Sequence, residues 1–161
     1  MDGSEQRVVT ASREVGASAG RVFELIADPS RQPEWDGNDN LDAAEPGQRV
    51  RSVGDVFRMT LTGGEVRENH VVEFVEGRLI AWKPAEPGRP PVGHVWKWQI
   101  DSIEEDRCRV VHTYDWAELE DPGRFKRARA TTSDRLAASV DRLASLAESS
   151  GSGSEKGSIA S

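Results

Sequence analysis

The segment Val92–Trp116, VGHVWKWQIDSIEEDRCRVVHTYDW, decides the fold. From Val92 to Ile103, His94, Trp96, Trp98 and Ile100 share one side, while Lys97, Gln99 and Asp101 share the other. From Cys108 to Trp116 the same alternation sets Cys108, Val110, His112, Tyr114 and Trp116 against Arg109, Thr113 and Asp115. A period of two over such lengths marks half-buried strands, and the polar run Glu104-Glu105-Asp106-Arg107 joins them as a hairpin. An antiparallel pair of this kind leaves one face to water and needs cover on the other.

That cover lies downstream. Asp121-Pro122-Gly123 starts a long helix in which Phe125, Ala128, Thr132, Leu136, Val140 and Leu143 recur at spacings of three and four. Its first half offers small or polar residues (Ala128, Thr131, Thr132) and its second half offers Leu136, Val140 and Leu143.

Upstream the period-two pattern continues back to about Leu41. Asp55–Thr62, Gly63-Gly64 and Glu65–Val75 read as a hairpin with a two-residue turn. That turn pairs Leu61 with Val66, Met59 with Glu68 and Phe57 with His70, and predicts Val66, Glu68, His70, Val72 and Phe74 on the inner side. Leu79–Lys83 adds a strand with Ile80 and Trp82 inward, and the proline-rich stretch Pro84 to Gly93 is a loop. A short strand is expected from Asn40 to Ala44. Arg7–Val15 suits a first strand. Ser18 can cap a helix carrying Val22, Phe23, Leu25 and Ile26, and Asp28-Pro29 ends it and opens a second short helix reaching Trp35. The fold class is α+β: an antiparallel curved sheet of about seven strands around a long C-terminal helix, in the order β-α-α-β-β-β-β-β-β-α. Residues 7–148 form this domain. Residues 149–161, SSGSGSEKGSIAS, are a Gly/Ser-rich tail whose composition predicts disorder.

Composition bounds the function. In 161 residues the formal charge is −7, which argues against an extended nucleic-acid surface. The longest apolar run, Leu79–Trp82, is too short to cross a bilayer, so no stable membrane insertion is expected. The N-terminus lacks the apolar core of a secretory signal, which makes the cytoplasm the expected location. A single cysteine, Cys108, excludes an internal disulfide. Only ten residues are aromatic, yet five are Trp: Trp35, Trp82, Trp96, Trp98 and Trp116.

Parity places Trp82, Trp96, Trp98 and Trp116, with His70, His94 and His112, on the helix-facing side. Each buried indole N–H or imidazole needs a partner, so this face suits a polar-edged cavity better than a dry core. The expected lining is Phe57, Met59, His70, Trp82, His94, Trp96, Trp98, His112, Tyr114 and Trp116, faced by Ala128 and Thr132. The expected content is a small hydrophobic molecule.

The stretches RVFELIADPSRQPEWDG, VGDVFRMT, VVEFVEGRLIAW, HVWKW and CRVVHTYDW resemble the START-like polyketide cyclase/dehydrase superfamily, with the helix-grip fold of the birch-pollen allergen, over roughly Val8 to Ala147. The resemblance implies a hydrophobic cavity between sheet and C-terminal helix. Members bind lipids, sterols or polyketides and only some are enzymes, so it assigns no activity.

His112, His70 and Tyr114 are the candidates for proton transfer in a cyclase- or dehydratase-type reaction. His112 leads because strand pairing sets it beside Trp98. Three histidines on separate strands lack metal-ligand spacing, so neither metal nor cofactor is expected. Glu68 reads as a strand-edge carboxylate, Trp35 as a staple or cavity lip, and Arg124, Lys126, Arg127 and Arg129 as a solvated helix face. A ligand-free interaction module is the remaining alternative. The expected state is a monomer or weak homodimer.

Overall fold

A computed structural model describes residues 6–160, with side chains described through Ser149. Seven strands form one antiparallel sheet: β1 (Val8–Val15), β2 (Leu41–Ala43), β3 (Val56–Leu61), β4 (Val66–Val75), β5 (Leu79–Ala85), β6 (Val95–Glu104) and β7 (Arg107–Asp115). Their spatial order is β1-β7-β6-β5-β4-β3-β2, so every neighbouring pair except β1–β7 is also consecutive in sequence. Four α-helices complete the domain: α1 (Ala19–Ala27), α2 (Gln32–Trp35), α3 (Phe125–Ala130) and α4 (Ser133–Ala160). This is the α+β helix-grip architecture, a meander laid over α4.

The central hairpin keeps the expected register. Trp96 pairs with Tyr114, Trp98 with His112 and Ile100 with Val110. The β3–β4 hairpin does not. Phe57 pairs with Asn69 and Met59 with Arg67, one residue away from the predicted register. The cause is the loop. Gly64 N–H bonds to Leu61 O at 2.8 Å, Leu61 N–H bonds to Glu65 O at 2.7 Å, and Gly64 alone of the two glycines takes positive φ (94°). That is a three-residue loop with a glycine bulge in place of a two-residue turn. A one-residue slip turns over every side chain on the strand. Arg67, Asn69 and Val71 therefore face inward, and Glu68 and His70 face outward. A bulge between Val71 and Glu73 resets the parity. Phe74 thus returns to the inner face, its ring 5.7 Å from that of Phe23, whereas Val72 is exposed.

The C-terminal cover is two helices. Thr131 leaves helical geometry (φ −85°, ψ 87°) and its hydroxyl bonds back to Arg127 O at 2.9 Å. Thr132 then accepts from Arg135 N at 3.4 Å, capping α4. A residue spent on a cap is not available to line a cavity, and Thr132 is exposed. The backbone of α4 is helical through residues 149–160, where composition predicts disorder. Among the described side chains, the last one buried against the core is Ala147, which is where the apolar periodicity ends.

Leu143, Ala144 and Ala147 pack on Val22, Phe23, Leu25 and Ile26 of α1 and on Ile100 and Val110 of the sheet. The turn after α2 meets α4 at Gly37. Its N–H donates to Ser139 Oγ at 3.0 Å, and a Cβ there would run into the Ala138 backbone of α4. Backbone cannot step aside as a flexible side chain can. The G37A variant is accordingly expected to lose about 1–3 kcal/mol in a urea melt, the usual range for overpacking. L143A, which empties a fully buried site, should lose about 2–5 kcal/mol in the same experiment.

Candidate functional site

Between the sheet, α2 and the α3–α4 junction lies a cavity of about 380 Å³. Its wall is the inner face of β5, β6 and β7. Trp98 and His112 stack with ring centroids 3.6 Å apart and planes 13° from parallel. Trp96 continues the stack over His112 at 5.6 Å and tilts against Tyr114 at 4.3 Å. Trp35 closes the floor edge-on to Trp98 at 5.1 Å. The Trp35 indole N–H donates to Leu25 O at 2.8 Å, so this residue both staples α2 to α1 and lines the cavity.

Of the residues parity placed here, Met59, Trp82, His94, Trp96, Trp98, His112 and Tyr114 line the cavity. Phe57 lies behind the wall, edge-on to Trp82 at 5.2 Å, and is fully buried in the core. His70 is on the opposite face of β4, paired with Lys83 and Val56, because of the register shift. The three histidines therefore do not converge, and among the described residues no group of three potential ligands could hold a metal. Glu68 also points outward, accepting from Gly88 N at 3.0 Å. Trp116 lies beyond the cavity's end, sandwiched against Arg7 at 4.6 Å and tilted on Phe125. Ala128 and Thr132 border a shallow neighbouring depression with Trp116 and Val9.

Alternation alone does not find the polar lining. Arg67 and Asn69 enter through the loop bulge, and Gln32, Asp36 and Asn38 enter from α2 and the turn after it. Arg124 and Arg127 face the cavity as well, while Arg129 lies over Trp116 and Phe125. The basic run is thus divided between two sides of α3. Arg124, Arg127, Thr131 and Arg135 recur at helical spacing, and this pattern in the sequence is the signal that would have found them.

The floor is electrically neutral. His112 Nδ1 lies 3.0 Å from Lys97 O. A carbonyl only accepts, so Nδ1 carries the proton and Nε2 keeps its lone pair. Burial pushes the His112 pKa down to about 3. His94 falls to about 4, first through burial and then through the positive charges of Arg124, Arg67 and Arg127. Burial raises Tyr114 to about 12. Behind the wall, Cys108 is fully buried and its thiol is raised to about 11, which leaves it inert. Three nitrogens of cavity-lining residues, Trp98 Nε1, His94 Nδ1 and Arg124 Nε, are buried with no hydrogen-bond partner among the described residues, and the first two are ring nitrogens.

With this geometry in view, the comparisons are informative. Residues 6–148 match the family described as polyketide cyclase / dehydrase and lipid transport. The uncharacterized protein Rv0088 of Mycobacterium tuberculosis is 33% identical over 113 residues, 67% of this chain and 47% of that protein. The chain therefore spans about half the length of the curated relatives it matches. Among solved structures, a START superfamily protein from Mycobacterium smegmatis superposes with a TM-score of 0.62 at 18% identity, covering 89% of this chain and 99% of that one. Norcoclaurine synthase from Thalictrum flavum gives 0.58 at 20% identity, covering 86% and 91%. The Aha1 dimer from Colwellia psychrerythraea gives 0.61 at 15%, covering 89% and 97%. At these identities the structures speak for the fold alone. Among the described residues, no helix is long and apolar enough to cross a membrane. The family and the fold together mark a START-like domain of the kind that holds hydrophobic ligands, and the chain belongs to the polyketide cyclase/dehydrase and lipid transport family.

Proposed function

We propose that this domain binds a small, flat, mostly apolar molecule against the wall formed by Trp82, Trp96, Trp98 and His112. One observation carries the reading. A cavity of about 380 Å³ is walled by stacked rings, yet two buried ring nitrogens of its lining, Trp98 Nε1 and His94 Nδ1, have no hydrogen-bond partner among the described residues. An unpartnered buried donor costs about 1–3 kcal/mol, which an acceptor on a bound molecule would recover. The stack also holds the wall flat, and a planar ligand extends it with favourable offset or edge contacts.

The alternative is a cyclase- or dehydratase-type enzyme using His112 or Tyr114. The electrostatics favour binding over this. A base whose conjugate acid has a pKa of about 3 and a phenol near 12 are both far from neutral, where proton shuttles work best. His70 is across the sheet from the cavity. An interaction module without a ligand would be expected to collapse this space, and the open cavity speaks against it.

Titration with the uncharged dye N-phenyl-1-naphthylamine is expected to enhance dye emission and quench Trp fluorescence with saturation. W96A, which removes the ring stacked over His112, should bind about tenfold more weakly. A wild-type protein that leaves the dye unbound and carries no co-purifying molecule in native mass spectrometry would overturn the proposal.

The histidines also set an acid limit on the fold. Their folded pKa values lie below the unfolded value of about 6.5, so the unfolded chain takes up protons first as pH falls. Their stabilising contribution is complete above about pH 6.5 and declines toward pH 4 for His94 and pH 3 for His112. Melting temperatures measured from pH 7 to pH 4 should fall, and H112F, which keeps a ring against Trp98 but cannot titrate, should fall less steeply.

A further inference from the structure

Arg67, Arg127 and Arg135 line the mouth of the cavity from three elements, β4, α3 and α4. Among the described residues, none of the three has a carboxylate within ion-pairing distance. Several arginines elsewhere are matched by carboxylates. Arg49 bridges Glu24 at 2.8 Å and Glu76 at 2.6 Å, Arg107 holds Glu14 at 2.6 Å and Glu104 at 3.2 Å, and Arg142 reaches Asp39 at 3.3 Å. A fourth rim arginine, Arg124, is held by Glu86 at 2.7 Å and Asp121 at 3.3 Å. Asp36, the carboxylate among the lining residues, is occupied by backbone. It accepts from Asn38 N at 3.2 Å, Asn40 N at 2.7 Å and Leu41 N at 2.9 Å. The mouth therefore carries guanidinium groups from three elements with no carboxylate within ion-pairing distance, beside an aromatic floor. Like charges gathered without a counter-charge cost free energy, and guanidinium groups match oxyanions with paired, charge-assisted hydrogen bonds.

We propose that the ligand of this cavity is an amphipathic oxyanion, whose flat apolar body lies on the indole wall and whose carboxylate or phosphate group sits on Arg67, Arg127 and Arg135. The proposal rests on the cavity being a ligand site, as argued above. The body meets Trp96, Trp98 and His112, and the head group stays at the half-exposed rim, where its hydration is only partly lost. A neutral ligand would leave the three arginines without a counter-charge.

The test compares two dyes with one skeleton: N-phenyl-1-naphthylamine, which is uncharged, and 8-anilinonaphthalene-1-sulfonate, which adds a single oxyanion. With the full chain at low salt, the sulfonate should bind at least about tenfold tighter, and its advantage should shrink as salt is raised. In R67Q/R127Q the ratio of the two affinities should fall to within about threefold, and R135Q should lower it part of the way. R109Q, on the outer face of the sheet, should leave the ratio unchanged. Displacement of the uncharged dye by 2-naphthoate and by 2-naphthyl phosphate, with 2-naphthol as the neutral control, tells a carboxylate from a phosphate. Either anion outcompeting 2-naphthol supports the proposal. Equal affinity for both dyes in the wild type, or a preference that survives R67Q/R127Q, overturns it while leaving the cavity reading intact. Failure of both dyes to bind, with no co-purifying molecule in native mass spectrometry, overturns both.

Discussion

The positive φ of Gly64 governs the chemistry of this cavity more than any catalytic-looking side chain does. By adding one residue to the β3–β4 turn, it sets which half of β4 faces inward. With the shorter turn, Glu68 and His70 would enter the cavity and Arg67 would leave it. The site would then carry an acid and a titratable base in place of a cation and an amide. A single backbone torsion at an exposed loop tip thus selects the sign of the charge at a site several residues away, because a strand transmits register without attenuation.

Given that register, the division of labour inside the cavity follows from solvation. The arginines of the lining sit at the rim, where Arg127 and Arg135 are exposed and Arg67 and Arg124 half-buried. The floor holds groups that remain neutral: an imidazole whose tautomer is fixed by Lys97 O, a phenol and indoles. Moving any of these arginines to the floor would cost several kcal/mol of desolvation, and moving the indoles to the rim would expose an apolar patch. Burial keeps His94 uncharged, and the field of Arg124, Arg67 and Arg127 adds to it. The site is better suited to recognising a polarity gradient along a ligand than to moving protons.

How much of this was legible in the sequence depended on where backbone geometry intervened. β6 and β7 were readable in full, because they are long, regular and carry their rings in strict alternation; Trp98 against His112 followed from parity alone. The helix-grip architecture, the cover of Leu136, Val140 and Leu143, and the two short helices after β1 were equally plain. The errors lie at irregularities. The Gly63-Gly64 pair is compatible with two loop lengths, and only the torsion at each glycine tells them apart. Thr132 looked like a small inward residue beside Thr131, whereas its hydroxyl caps α4 and only Thr131 lines the cavity. The basic run failed for a different reason: counted together, Arg124, Lys126, Arg127 and Arg129 look like a solvated face, and only their helical phase separates cavity from surface.

The overall charge of −7 and a basic cavity mouth are consistent, because charges act over short distances. Many of the excess acids are engaged locally, as Glu14, Glu24, Glu76 and Glu86 are by arginines. At physiological ionic strength the potential of a surface charge fades over about 8 Å, so acids beyond the rim contribute little at the mouth. What a ligand meets there is the local imbalance of three uncompensated guanidinium groups. A negative outer surface also disfavours polyanions such as nucleic acids, which would have to lie across many acids to reach a few arginines. A small molecule with one anionic group carries no such penalty. The same charge pattern that argues against a nucleic-acid partner therefore sharpens the selection for a small, singly headed one.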